Sequence, residues 1–202
     1  MGISMIRTVR ALVGIVAASF VAACAATPAP EPHPDLTYGH LAPIHLNAAS
    51  IDIQTRYIPP LRAPNVEHRA PVPPYVAIRR WGEARLKTRG TTNNQARLVI
   101  LDASIKEAPL ATKGGLKGAF VREQAARYDG RLAVLLEIRD PGGRQLAFVT
   151  ARAERSATVP EGAPIAQRER VWLALTEDMM RDLDRELEDN IRRHFAAYLP
   201  RP

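Results

Sequence analysis

The 202-residue chain has one cysteine, Cys24, and it stands directly behind Val21-Ala22-Ala23. The thiol is the chain's one strong nucleophile, and the extended small-residue backbone before it fits a peptidase that cuts there. Upstream, Met1 to Arg10 carries Arg7 and Arg10 and no acid, and Ala11 to Ala23 is an apolar run of 13 residues broken only by Gly14 and Ser19. This is the basic start and short apolar stretch of a signal peptide. It falls well short of the roughly 20 residues a membrane-crossing helix needs. We therefore expect residues 1–23 to be removed. A lone cysteine leaves no partner for an intramolecular disulfide.

The stretch Val21-Ala-Ala-Cys24 resembles the bacterial lipobox, which implies that Cys24 carries a thioether-linked lipid and that no thiol is left to act as a nucleophile. In proteins with that motif the next residue helps sort between membranes, and aspartate there favours retention on the inner one. Here it is Ala25, so the expected location is the periplasmic face of an outer membrane. One acyl chain holds a protein marginally and two hold it firmly.

Other reactive constellations are missing. There is no G-x-S-x-G, H-E-x-x-H, C-x-x-C or G-x-G-x-x-G pattern, each of which places specific groups at a strand or helix end. His33, His40 and His45 lack the cysteine or helical spacing of a metal site. Lys113-Gly-Gly-Leu-Lys-Gly118 lacks the phosphate-loop pattern. Asp102 and Glu107 share a strand but nothing marks them as an acid–base pair. The expectation is a protein that is not an enzyme and carries no cofactor or metal.

Charge points to anionic partners. The formal charge of +7 falls to +5 once Arg7 and Arg10 leave with the signal peptide, and arginine supplies nearly all of it. Arginine forks match phosphate and carboxylate. In a periplasm those belong to lipid headgroups, lipopolysaccharide or acidic protein faces, and the compartment excludes nucleic acid. Two sets of residues stand out. The proline-rich stretch Ile58 to Pro74 carries Arg62, Val66, His68 and Arg69, and its prolines restrict it before any partner arrives. A long loop of this kind in a compact domain is often functional. Arg127 and Arg131 lie on the outward side of a long strand and are candidates for binding an anionic lipid.

The elements that must hold these residues follow from periodicity. Residues 24–45, rich in alternating prolines, read as a lipidated tether in extended polyproline form, and residues 46–200 as one domain. Ile51, Ile53, Thr55 and Tyr57 alternate with polar residues, predicting a strand over 48–57. Pro74 to Arg89 reads as a helix ended by Gly90, with Gly82 allowing close approach to a sheet. Gln95 to Glu107, apolar on both sides at Leu98–Leu101, predicts a central strand. Phe120 to Arg139 alternates as a long half-buried strand, Asp140-Pro-Gly-Gly143 is a reverse turn, and Gln145 to Thr158 returns. Pro164 to Leu199 is a helix with an apolar stripe at Trp172, Leu175, Met179, Leu183, Leu187, Ile191 and Phe195. The order β-α-β-β-β-α predicts an α+β fold: a four-stranded, mostly antiparallel sheet with two helices on one face.

The lipobox, the proline-rich tether and this element order together resemble small periplasmic accessory lipoproteins. The plan is similar to the LptE-type lipopolysaccharide-assembly lipoproteins and to the PqiC-like auxiliary lipoproteins of ABC-type lipid transport. The stretch from Ile78 to Glu107, with Trp81, Leu86 and Gly90 leading into Leu98-Val-Ile-Leu-Asp-Ala-Ser104, carries the second likeness. Only Cys24 carries over as a functional residue. The resemblance implies a membrane-attached protein that binds or stabilises an envelope complex without catalysis.

Overall fold

The computed structural model describes residues 35–110 and 124–200. Cys24, the signal segment, residues 25–34 and the Lys113–Gly118 stretch lie outside the described residues. Among the described residues no helix is long and apolar enough to cross a membrane.

The architecture is α+β, as the periodicity predicts. Strands β2 (Ser50–Thr55), β4 (Gln95–Pro109), β5 (Gln124–Arg139) and β6 (Gln145–Pro160) form one sheet in the order β2-β4-β5-β6. The β2–β4 pair is parallel, and the other two pairs are antiparallel. A parallel pair needs a crossover, which helix α1 (Pro74–Arg85) supplies. Helix α2 (Ile165–His194) follows β6 and covers the same face.

That face is apolar because the strands alternate. Tyr128, Leu132, Val134, Leu136 and Ile138 of β5 are all buried, and so are the six stripe residues of α2 and Phe195 just past its end. Two glycines allow the helices down. A Cβ at Gly82 would come within 2.9 Å of Ile53 and Leu98, and one at Gly130 within 2.6 Å of Met179 Sδ. The β5–β6 turn closes with the Gly143 N–H on the Asp140 carbonyl at 2.9 Å and the Arg144 N–H on the Asp140 carboxylate at 2.9 Å. Gly143 has φ +84°, a conformation costly to residues with a Cβ.

The structure departs from the sequence expectation at three places. Residues 36–45, expected to lie in the tether, belong to the fold: Leu36 and Leu46 are buried, and Ile44–Leu46 forms strand β1. Helix α1 stops at Arg85 rather than Arg89, because Leu86–Thr88 turns into strand β3 and pairs in parallel with β1. Leu86 takes the cap with φ −86° and ψ 125°, so Gly90 is not the cap. Its backbone instead lies against Asn47, where a Cβ would overlap. Helix α2 ends at His194, with Phe195 capping and a 3-10 turn over Ala196–Tyr198. Arg192, Arg193 and His194 fill the last turn, where positive charge suits the helix dipole.

A buried arginine joins these parts. Arg85 donates to Asp184 at 2.9 Å and also contacts Glu188 and the Ala42 carbonyl, while the Trp81 indole donates to Asp184 at 2.7 Å. One guanidinium therefore ties α1, α2 and the segment leading into β1.

Candidate binding ledge

The proline-rich stretch does not project as a free loop; its second half is folded onto the sheet. Strand β2 ends where β4 bulges at Leu101, and the Arg56 and Tyr57 amides both bond the Ile100 carbonyl at 2.9 and 3.2 Å. Beyond that point β4 would present a bare edge, a template for unwanted pairing. The loop covers it. The Val66 amide donates to the Ile105 carbonyl at 2.8 Å, and the Glu107 amide donates to the Pro64 carbonyl at 2.8 Å.

Glu67 fixes this arrangement. Its carboxylate is fully buried and accepts the Tyr57 hydroxyl at 2.6 Å, the Asn65 amide at 3.1 Å and the Ile105 backbone N–H at 3.2 Å. Burial, and then the bond to Glu67, raise the Tyr57 phenol well above its ordinary range. Among the described residues Glu67 has no basic partner, and a buried carboxyl group is tolerated where hydrogen bonds satisfy it. The loop base is therefore rigid.

The first half of the stretch stands proud of this base. Ile58 is 84% exposed and Leu61 66% exposed. Leu61 has φ +55°, a left-handed conformation that costs a residue with a Cβ about 1–2 kcal/mol. Together with the anchored part it borders an open hollow of about 670 Å³. All four residues singled out in the sequence line it: Arg62, Val66, His68 and Arg69. Their roles differ. Val66 is buried and forms floor rather than tip. The Arg69 guanidinium lies over the Trp172 ring, 5.5 Å from its centroid, within range of a cation–π contact. Trp172 in turn meets Tyr128 edge-on with ring centroids 5.5 Å apart. Among the described residues the one carboxylate in the wall is Glu107, which takes a 2.9 Å bond from Arg168; Arg168 also donates to the Tyr128 hydroxyl at 2.9 Å. Burial, followed by the charge of Glu107, raises the Tyr128 phenol.

Arg127 and Arg131 are not assembled into one anion site. Four residues apart on a strand, their Cα atoms stand about 13 Å from each other. Arg127 pairs with Asp129 at 2.9 Å and Arg131 with Glu154 at 2.9 Å. Both pairs lie on the open face of the sheet, where Arg97 similarly pairs with Asp52 at 3.3 Å and Arg139 with the buried Glu137 at 2.7 Å. Asp102 and Glu107 face opposite sides of β4: Asp102 accepts the Ser104 amide at 3.1 Å, and Glu107 is held by Arg168. They form no carboxylate pair.

Sequence reasoning missed Glu67, Arg85 and the cation–π contact of Arg69 with Trp172. Only Arg85 leaves a trace, since Ile78, Trp81 and Arg85 recur at helical spacing and put an arginine on an apolar stripe.

No protein-family model matches the chain, and no curated protein matches it. Among solved structures it is similar to a Xanthomonas campestris protein of family DUF330, with a TM-score of 0.28 and 9% identity over 78% of this chain and 95% of that one. It is also similar to a minor lipoprotein from Acinetobacter baumannii, with a TM-score of 0.31 and 15% identity over 79% of this chain and 100% of that one.

Proposed function

We propose that this protein is a lipid-anchored accessory of an envelope transport or assembly complex. It is held at the periplasmic face of the outer membrane through Cys24 and engages a protein of that complex through the ledge from Ile58 to Arg69. It works by binding, without catalysis. The observation that carries this reading is the pairing of a rigid base with an exposed apolar tip. Ile58 and Leu61 stay in water on a loop whose buried Glu67 fixes its position. Exposed apolar surface marks interaction sites where it is concentrated, and Ile58 and Leu61, three residues apart, are the two most exposed large apolar side chains among the described residues. A left-handed leucine at that tip is strain kept where a partner would use it.

The anchor rests on the lone cysteine behind Val21-Ala-Ala. The alternative, a binder of anionic glycolipid or phospholipid through Arg127 and Arg131, has weaker support because both arginines already face carboxylates. A photo-crosslinking residue at Leu61 tests the docking in cells, with one at Arg152 on the open face as control. A defined envelope protein captured from Leu61 and absent from Arg152 supports it. Capture of only bulk periplasmic proteins from both positions ends it. Cys24→Ser tests the anchor, and a variant that still partitions into detergent with unchanged mobility refutes it.

A further inference from the structure

Resting on the reading that the ledge docks a protein, we infer that the docked segment is an acidic peptide with apolar side chains, its carboxylates received by Arg69 and Arg62. Both arginines line the hollow, and neither has a carboxylate partner among the described residues. The contact with Trp172 holds the Arg69 guanidinium carbon 5.5 Å from the ring centroid, and the residue is exposed, so its N–H fork is open to an incoming carboxylate. Less side-chain freedom is then lost when a carboxylate arrives. Arg62 adds a second unpaired guanidinium beside Leu61. Glu107, the only acid in the wall among the described residues, is already paired with Arg168.

The floor and tip set the other half of the chemistry. Val66, Leu61 and Pro109 offer apolar surface in the same hollow. A purely apolar partner would cover two unpaired charges, which is unfavourable in a low-dielectric contact. A purely acidic one would leave Ile58 and Leu61 in water. A segment carrying both kinds of side chain satisfies both. An acyl chain with a phosphate headgroup shares the anion–apolar combination. It requires enclosure along its length, which an open hollow of about 670 Å³ does not provide.

The test is selection of short random peptides, displayed on phage, against the full chain extracted from membranes in nonionic detergent. The same selection is run on Arg62→Gln/Arg69→Gln and on Arg152→Gln, an exposed arginine outside the ledge. Expected is enrichment of Asp or Glu beside Leu, Ile or Phe on the unaltered chain. A resynthesised peptide should bind the double variant at least about tenfold more weakly, near 1.4 kcal/mol, and bind Arg152→Gln unchanged. Arg69→Lys keeps the charge without the fork and should fall between. Thermal melts of each variant establish that it is folded. The inference is overturned if enriched peptides lack acids, if nothing is enriched, or if the double variant binds equally well. It is also overturned if phosphatidylglycerol vesicles bind through Arg69 and peptides do not. In each of those cases capture of a defined protein from Leu61 leaves the docking proposal standing, so the two fail separately.

Discussion

The buried carboxylate of Glu67 accepts the backbone N–H of Ile105 at 3.2 Å. Thirty-eight residues separate them, and this contact joins the proline-rich stretch to the strand at the centre of the sheet. Glu67→Ala would leave that amide, the Asn65 side chain and the Tyr57 hydroxyl without their acceptor. Unsatisfied buried donors cost about 1–3 kcal/mol each where water cannot reach them. We expect a loss of about 3 kcal/mol in urea unfolding. Hydrogen exchange should accelerate at Ile105, Val66 and Glu107 before it does at β5. Unchanged protection at Val66 would show that the loop is held by something other than Glu67.

Leu61 separates stability from docking. Its φ of +55° suits glycine better than leucine, and its side chain is exposed. Leu61→Gly relieves about 1–2 kcal/mol of backbone strain and loosens the unfolded chain by roughly 0.4–1 kcal/mol. Chemical denaturation should therefore show stability unchanged or slightly raised. Partner capture through a crosslinker at Ile58 should fall sharply. A variant that loses stability and keeps capture contradicts the assignment of this residue to the partner.

Arg85 is 3% exposed and has three oxygen partners. Arg85→Met keeps the aliphatic stem and strands Asp184 and Glu188 beside the core. Removing one member of a buried pair costs about 3–5 kcal/mol. Half-burial of the acids brings the expected loss to about 3 kcal/mol. Because Arg85 also holds the Ala42 carbonyl, limited proteolysis should open the segment between Asp35 and Leu46 in this variant. Resistance there equal to that of the unaltered chain would place the tie elsewhere.

Acid should weaken the packing of α2. The bond from Arg192, with Arg85 adding to it, lowers the Glu188 carboxyl, and the bond from Arg155 lowers Asp182. A carboxyl depressed in the folded state contributes stability above its unfolded pKa and loses it as pH falls through the folded one. Melting temperatures should be level from about pH 7 down to the ordinary carboxylate range near 4, then fall. Arg155→Gln should flatten part of that fall. A melting temperature that rises on acidification would reverse the sign and exclude these pairs as its source.

Much of the scaffold was legible because it repeats. The even positions of β5 and the stripe from Trp172 to Phe195 are periodic, and both are buried. Asp140-Pro-Gly-Gly143 encodes its turn locally. The β1–β3 pair was not legible: Leu86-Lys-Thr88 continues a helix pattern well enough, and its partner Ile44–Leu46 sits at the end of a proline-rich run. Only the pairing decides between helix and strand there. The site was half legible. Residue types pointed to Arg62, Val66, His68 and Arg69, while Glu67, between two of them, carries no periodic signal and owes its burial to β4. Trp172 lies over a hundred residues from Arg69, and nothing local connects the two.

Residues 36–46 are packed into the fold, with Leu36 and Leu46 buried and the Ala42 carbonyl held by Arg85 of α1, so a leash running from the proposed anchor would be short. Cys24 precedes Asp35 by eleven residues, and a chain extends at most about 3.6 Å per residue. A lipid on Cys24 would confine the start of the domain to within about 40 Å of the membrane surface. Within so thin a layer a membrane-borne partner is met at high effective concentration. A small ledge of modest intrinsic affinity then suffices, and lengthening the chain ahead of Asp35 should weaken the association while leaving the contact surface untouched.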